Sequence, residues 1–83
     1  NEIQRIPVRR ILSKLDDYFN KKEYGRAFDH LTYWINEAKE TGDAEGKLTL
    51  YNEAVGLSRK VGEKERAFAY ATDAIALAEK IIK

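Results

Sequence analysis

Two stretches decide how this chain folds: Glu23-Tyr24-Gly25-Arg26-Ala27-Phe28 and Glu63-Lys64-Glu65-Arg66-Ala67-Phe68, which stand forty residues apart and share four of six residues. The correspondence continues in register through Thr32 and Thr72, Ile35 and Ile75, and Ala38 and Ala78, giving seven identities between residues 21–40 and 61–80. Self-similarity at a period of about 20 to 50 residues marks a repeat architecture, in which each unit is one supersecondary element that buries its apolar face on a neighbour. Such architectures build surfaces more readily than deep catalytic pockets.

Working outward from these stretches, the apolar spacing is helical almost throughout. Val8, Ile11, Leu12, Leu15 and Phe19 fall on one stripe, which predicts a helix over about 7–20 with Pro7 in the first turn, where its missing N–H costs nothing. Tyr24, Ala27, Phe28, Leu31, Trp34, Ile35 and Ala38 form a broad apolar face that predicts a second helix to about residue 41. Gly42 suits the left-handed residue that closes it, and Asp43 can cap the amides that open the next helix. Ala44, Leu48, Tyr51, Ala54, Val55, Ser58 and Val61 make the third stripe, which Gly62 ends. Ala67, Phe68, Ala71, Ala74, Ile75, Ala78 and Ile82 make the fourth, over about 64–82, with Glu63 and Glu65 favouring the positive end of its dipole. Loops this short force neighbouring helices to run antiparallel. The expectation is an all-α fold of four helices in two stacked antiparallel hairpins, one domain over 1–83, with repeats at about 5–41 and about 44–82. The alanines Ala27, Ala38, Ala67, Ala71, Ala74 and Ala78 let helix axes approach closely.

Composition narrows the function classes. With 83 residues, 43% hydrophobic and 35% charged, the chain is a helix-rich globular domain with little mass for a deep pocket. The absence of cysteine excludes disulfides, thiolate metal sites and thiol catalysis, and fits a cytoplasmic setting. No apolar run approaches the length of a membrane span. The chain starts at Asn1 rather than methionine, which implies either processing or a piece of a longer protein. Net charge is +1, distributed as +3 over residues 1–26, −4 over 27–58 and +2 over 59–83, so nothing draws the molecule as a whole toward nucleic acid or an anionic membrane.

The stretch Gly62-Glu63-Lys64-Glu65-Arg66-Ala67 resembles the Gly-Asp-Tyr-x-x-Ala turn of the tetratricopeptide repeats. Ala38-Lys39-Glu40-Thr41-Gly42-Asp43 resembles the family's repeat-ending Ala-Lys-Glu-x-Gly-Asp, and Asn52 with Ala54 is similar to the Asn-Leu-Ala of its first helix. The resemblance covers about 5–82 and is to the long variant, about 40 residues per repeat, found in kinesin light chain and many bacterial arrays. Three features depart from the pattern. The first turn, Asn20-Lys21-Lys22-Glu23, lacks the glycine, Asn52 to Gly62 is one residue longer than the usual spacing, and the two first helices share no identities at the forty-residue offset.

The resemblance implies a non-enzymatic scaffold, without cofactor or metal, that receives a peptide or partner helix in a groove lined by the first helix of each hairpin. Carried over from Ala27 and Ala67, the groove positions are Arg9, Leu12, Asp16, Phe19 and Asn20, then Thr49, Asn52, Gly56, Arg59 and Lys60. Some family members clamp a partner's terminal carboxylates with a Lys-Asn-Asn-Lys-Arg set. Leu12 stands where the first of those lysines would be, so that specialisation is not implied here.

Other chemistry has weaker claims. His30 is the only histidine, and without cysteine it has only carboxylates to help it hold a metal, so a structural role is expected. Asp16 and Asp17, adjacent on a helix, point about 100° apart and need not share a site, and no nucleophile and base accompany them. Arg5, Arg9, Arg10 and Lys14 with Lys21 and Lys22 are the best basis for an alternative function, a small basic-faced helical domain associated with nucleic acid. Tyr33, Tyr70 and Leu77 lie off the main stripes. Tyr70, Leu77 and Ile81 are therefore expected to offer a face for self-association, as a homodimer through the C-terminal helix or head to tail against Val8 and Leu12.

Overall fold

The computed structural model describes residues 5–82. Four helices follow in chain order, α1 (Val8–Asn20), α2 (Tyr24–Thr41), α3 (Ala44–Lys60) and α4 (Lys64–Ile82), with no strand among the described residues. Each helix packs on the one before it and α1 also touches α3, whereas α1 and α4 do not meet. A closed four-helix bundle would bring the first and last helices together. This chain is instead an open stack of 39 × 24 × 15 Å, with α1 at one end and α4 at the other.

The turns carry the repeat down to individual hydrogen bonds. After α1, the amide of Lys22 donates to the Phe19 carbonyl at 3.0 Å and that of Glu23 to the Tyr18 carbonyl at 2.8 Å. Forty residues on, Gly62 donates to Arg59 at 3.2 Å and Glu63 to Ser58 at 2.9 Å. Gly62 is left-handed with φ 77°, and Lys22, in the turn that lacks the glycine, takes the same conformation with φ 60°. The backbone thus keeps the turn where the side chain disfavours it.

The turn between α2 and α3 does more than reverse the chain. Gly42 ends α2 at φ 81°, and Asp43 caps α3 with Oδ1 accepting from the Gly46 amide at 3.0 Å. The other oxygen of this buried carboxylate, Oδ2, accepts from the Ile6 amide at 2.9 Å, which ties the segment before α1 to the second hairpin. A Cβ on Gly46 would lie 2.5 Å from Oδ2 and 2.9 Å from Ile6 Cγ1, so only glycine lets helix, cap and Ile6 come together.

One contiguous core unites Ile11 and Leu15 of α1, Ala27, Phe28, Leu31, Ile35 and Ala38 of α2, and Leu50, Ala54 and Leu57 of α3. The third stripe expected from sequence needs correction. Ala54 and Ser58 are buried, but Ala44, Leu48, Tyr51, Val55 and Val61 are only half-buried, while Gly46, Leu50 and Leu57 are buried instead. An interior helix of a stack is covered on two sides, and the stripe followed only one of them. The fourth stripe also needs correction. Ala67 and Ala74 are buried, Ala71 and Ala78 half-buried, and Phe68 and Ile75 are exposed. They match Phe28 and Ile35, but the α2 backbone lies close to both α1 and α3, whereas among the described helices the α4 backbone lies close to α3 alone. The side chain of Ile82 lies outside the described residues.

The left-handed lysine gives a direct test of the turn. A side chain at positive φ costs about 1–2 kcal/mol, partly offset by the greater freedom glycine loses on folding. Lys22→Gly should therefore stabilise the fold by roughly 0.5–1 kcal/mol, seen as a midpoint several degrees higher in a thermal melt, and Gly62→Ala should lower it. An unchanged or lowered melt for Lys22→Gly contradicts the turn geometry.

Candidate functional site

The expected groove positions fall on one side of α1 and α3, which run parallel. Arg9 and Asp16 are exposed, and Leu12 and Phe19 are half-buried and pack on the core. On α3, Asn52, Arg59 and Lys60 are exposed, and nothing would stand within 4 Å of a Cβ on Gly56. Lys60 Nζ lies 6.0 Å from the Phe19 ring centre, which joins the two rows at their C-terminal ends. Phe19 meets Tyr24 edge-on, with centroids 4.9 Å apart. The face is therefore an apolar floor of Leu12 and Phe19 with a charged rim and an open notch at Gly56.

Around the corner, Val55 and Arg59 of α3 with Lys64, Ala67, Phe68 and Ala71 of α4 line a shallow, largely apolar groove of about 390 Å³. Its counterparts in the first hairpin are Leu15, Phe19, Tyr24, Ala27, Phe28 and Leu31. There the space is filled, because Leu50, Ala54 and Leu57 of α3 belong to the same buried cluster and the Arg66 guanidinium lies 4.3 Å from the Phe28 ring centre. Phe28 is 4% exposed and Ile35 7%, against 75% for Phe68 and 63% for Ile75. The stack thus leaves an apolar stripe uncovered at this end among the described residues. Its other end is polar, since α1 carries Arg10, Lys14 and Asp17, all exposed, where α3 carries Leu50, Ala54 and Leu57.

Of the residues expected to self-associate, Tyr70 and Leu77 are half-buried and Ile81 is exposed. Tyr70 is half-buried against the core, its ring 6.2 Å from that of Tyr51. Leu77 is half-buried in a cleft with Ala38, Gly42 and Ala44, and Ile81 borders a cleft with Asp43 and Glu45. Leu77 and Ile81 lie beside the chain's own α2–α3 turn, and Tyr70 lies against α3.

Of the polar candidates, His30 and Arg5 make contacts that tie parts of the fold together. His30 is half-buried with Nε2 3.2 Å from the Ile11 carbonyl, which only accepts, so this nitrogen carries the proton and ties α2 to α1. The ring also meets Tyr18 edge-on at 5.7 Å. Asp16 and Asp17 are both exposed, and no group of three potential metal ligands occurs among the described residues. Arg5 pairs with Glu45 at 3.3 Å, while Arg9, Arg10 and Lys14 remain exposed along α1. The hydrogen bond that Arg66 Nε donates to the Glu63 carboxylate raises the pKa of the guanidinium that lies over Phe28, and burial raises that of the Tyr51 hydroxyl, helped by the Asp73 carboxylate. No helix among the described residues is long and apolar enough to cross a membrane.

Compared with known proteins, the chain matches no family model, no curated protein and no solved structure.

The contrast between the two phenylalanines is measurable. Phe28→Ala empties a filled site and should cost about 3–5 kcal/mol, whereas Phe68→Ala should stay within roughly 0.5 kcal/mol of the parent at low protein concentration. Urea unfolding of both variants checks this, and equal losses contradict the placement of α4.

Proposed function

We propose that the chain is a non-enzymatic protein-interaction module of tetratricopeptide-like architecture that receives a peptide or partner helix on the α1/α3 face. The observation that carries this reading is the forty-residue register kept in the turn hydrogen bonds, which puts the rows Arg9, Leu12, Asp16, Phe19 and Thr49, Asn52, Gly56, Arg59 at matching positions of neighbouring helices although no matched pair shares a residue type. Repeats that set equivalent side chains side by side offer a preorganised surface, which lowers the ordering cost of binding. Leu12 and Phe19 supply apolar contact, Asn52 a donor and an acceptor for a peptide backbone, and Arg59 and Lys60 attraction for acidic side chains. A cytoplasmic setting belongs to the same proposal.

The test is selection of peptides from a displayed library on the immobilised chain, followed by affinity measurement on Gly56→Tyr, which fills the notch without touching the core. The reading expects enriched peptides whose affinity falls at least tenfold on Gly56→Tyr and is unchanged on Phe68→Asp. Peptides indifferent to Gly56→Tyr sink it. Preferential binding of duplex DNA through Arg9, Arg10 and Lys14, with a steep loss of affinity as salt rises, would favour the basic-domain alternative.

A further inference from the structure

The uncovered stripe of α4 reads the same from both ends. Along the outward side of the helix stand Lys64, Phe68, Ala71, Thr72, Ile75 and Glu79, a cation and an anion at the rims, a large apolar residue next inside each, and two small residues at the centre. The spacing is symmetric about the point between Ala71 and Thr72, so an antiparallel copy of the helix sets Lys64 opposite Glu79, Phe68 opposite Ile75 and Ala71 opposite Thr72. We infer that this stripe is the interface of an isologous dimer, in which α4 packs antiparallel on α4 of a second copy of this chain.

Each layer of the stripe suits that occupant. Ala71 and Thr72 allow the two axes to approach closely at the twofold, and Phe68 and Ile75, at 75% and 63% exposed, supply the apolar area to be covered. The Thr72 hydroxyl donates to the Phe68 carbonyl at 2.9 Å, so its proton is already satisfied and it need not be left unpaired when water is removed. Lys64 and Glu79 are both exposed and neither is in an ion pair among the described residues. Pairing across the twofold gives two equivalent bridges per dimer and fixes the antiparallel register.

A head-to-tail contact lacks this fit. It would lay α1 of the next copy where α3 lies on α2, and α1 brings Arg10, Lys14 and Asp17 to positions that α3 fills with Leu50, Ala54 and Leu57. The stripe spans roughly 22 Å of helix, and one such helix pair buries less than the roughly 1,200 Å² at the low end of standard interfaces. The dimer is accordingly weak and reversible, forming as concentration rises.

Sedimentation equilibrium across concentration, with circular dichroism to confirm folding, tests the inference on the full chain. The parent should pass from monomer to dimer, and Phe68→Asp should remain monomeric. Lys64→Glu and Glu79→Lys should each weaken the dimer at least tenfold, while both changes favour the helix dipole and leave the fold intact. Mixing these two variants should restore dimerisation, because one is then acidic at both rims and the other basic at both, so the mixed pair sets opposite charges against each other at each end. A parent monomeric up to about 1 mM, or higher oligomers in place of dimers, overturns the inference. So does a mixture no more associated than its components, since a face that merely needs apolar contact would not register the exchange of charge.

Discussion

The packing of α3 on Phe28 and Ile35 is the contact on which the rest of this structure depends. Each hairpin alone has a single helix–helix interface, too little to offset the conformational entropy of ordering some forty residues. Stacking α3 on α2 brings Leu50, Ala54 and Leu57 into the same core as Leu31 and Ile35 and makes one domain of two hairpins. The Asp43 carboxylate reinforces that junction, with one oxygen capping α3 and the other holding the Ile6 amide. Gly46 is the space that allows both.

The same contact explains why the two ends of the stack differ. An interior helix needs apolar residues on two sides and α3 has them, whereas α1 needs them on one side and is charged on the other. α4 keeps the phenylalanine and isoleucine of the repeat with no helix among the described residues over them. Function then follows from surface. The α1/α3 face has a shape that the repeat imposes, and the α4 stripe has a sequence symmetry that the repeat does not require. They lie on different sides of the second hairpin and meet near Arg59, so a partner bound at one leaves the centre of the other free.

Much of the fold was legible in the residues themselves. The helical period, Gly42, Gly62 and Asp43 mark all four helices, because local backbone preference and apolar pattern agree there. What was not legible was which face of a helix meets which neighbour. Phe68 and Ile75 look like core by analogy with Phe28 and Ile35, and only the order of the stack shows that no described residue covers them. Leu50 and Leu57 fell outside the stripe drawn through Leu48, Tyr51 and Val55, since one period cannot describe a helix buried on two sides. The tie between Asp43 and Ile6 spans 37 residues, and no local rule points to it. The groove positions depended on the forty-residue register, and they were legible to the extent that α1 keeps it in backbone while losing it in side chains.

Phe28 and Ile35 are buried in the first hairpin, and the same residues of the repeat, Phe68 and Ile75, are open in the second. Fluorine resonances of fluorophenylalanine at positions 19, 28 and 68, observed with a soluble gadolinium chelate at low protein concentration, report that difference directly. The account predicts strong relaxation enhancement at Phe68, little at Phe28 and an intermediate effect at the half-buried Phe19. Equal enhancement at Phe28 and Phe68 would contradict it.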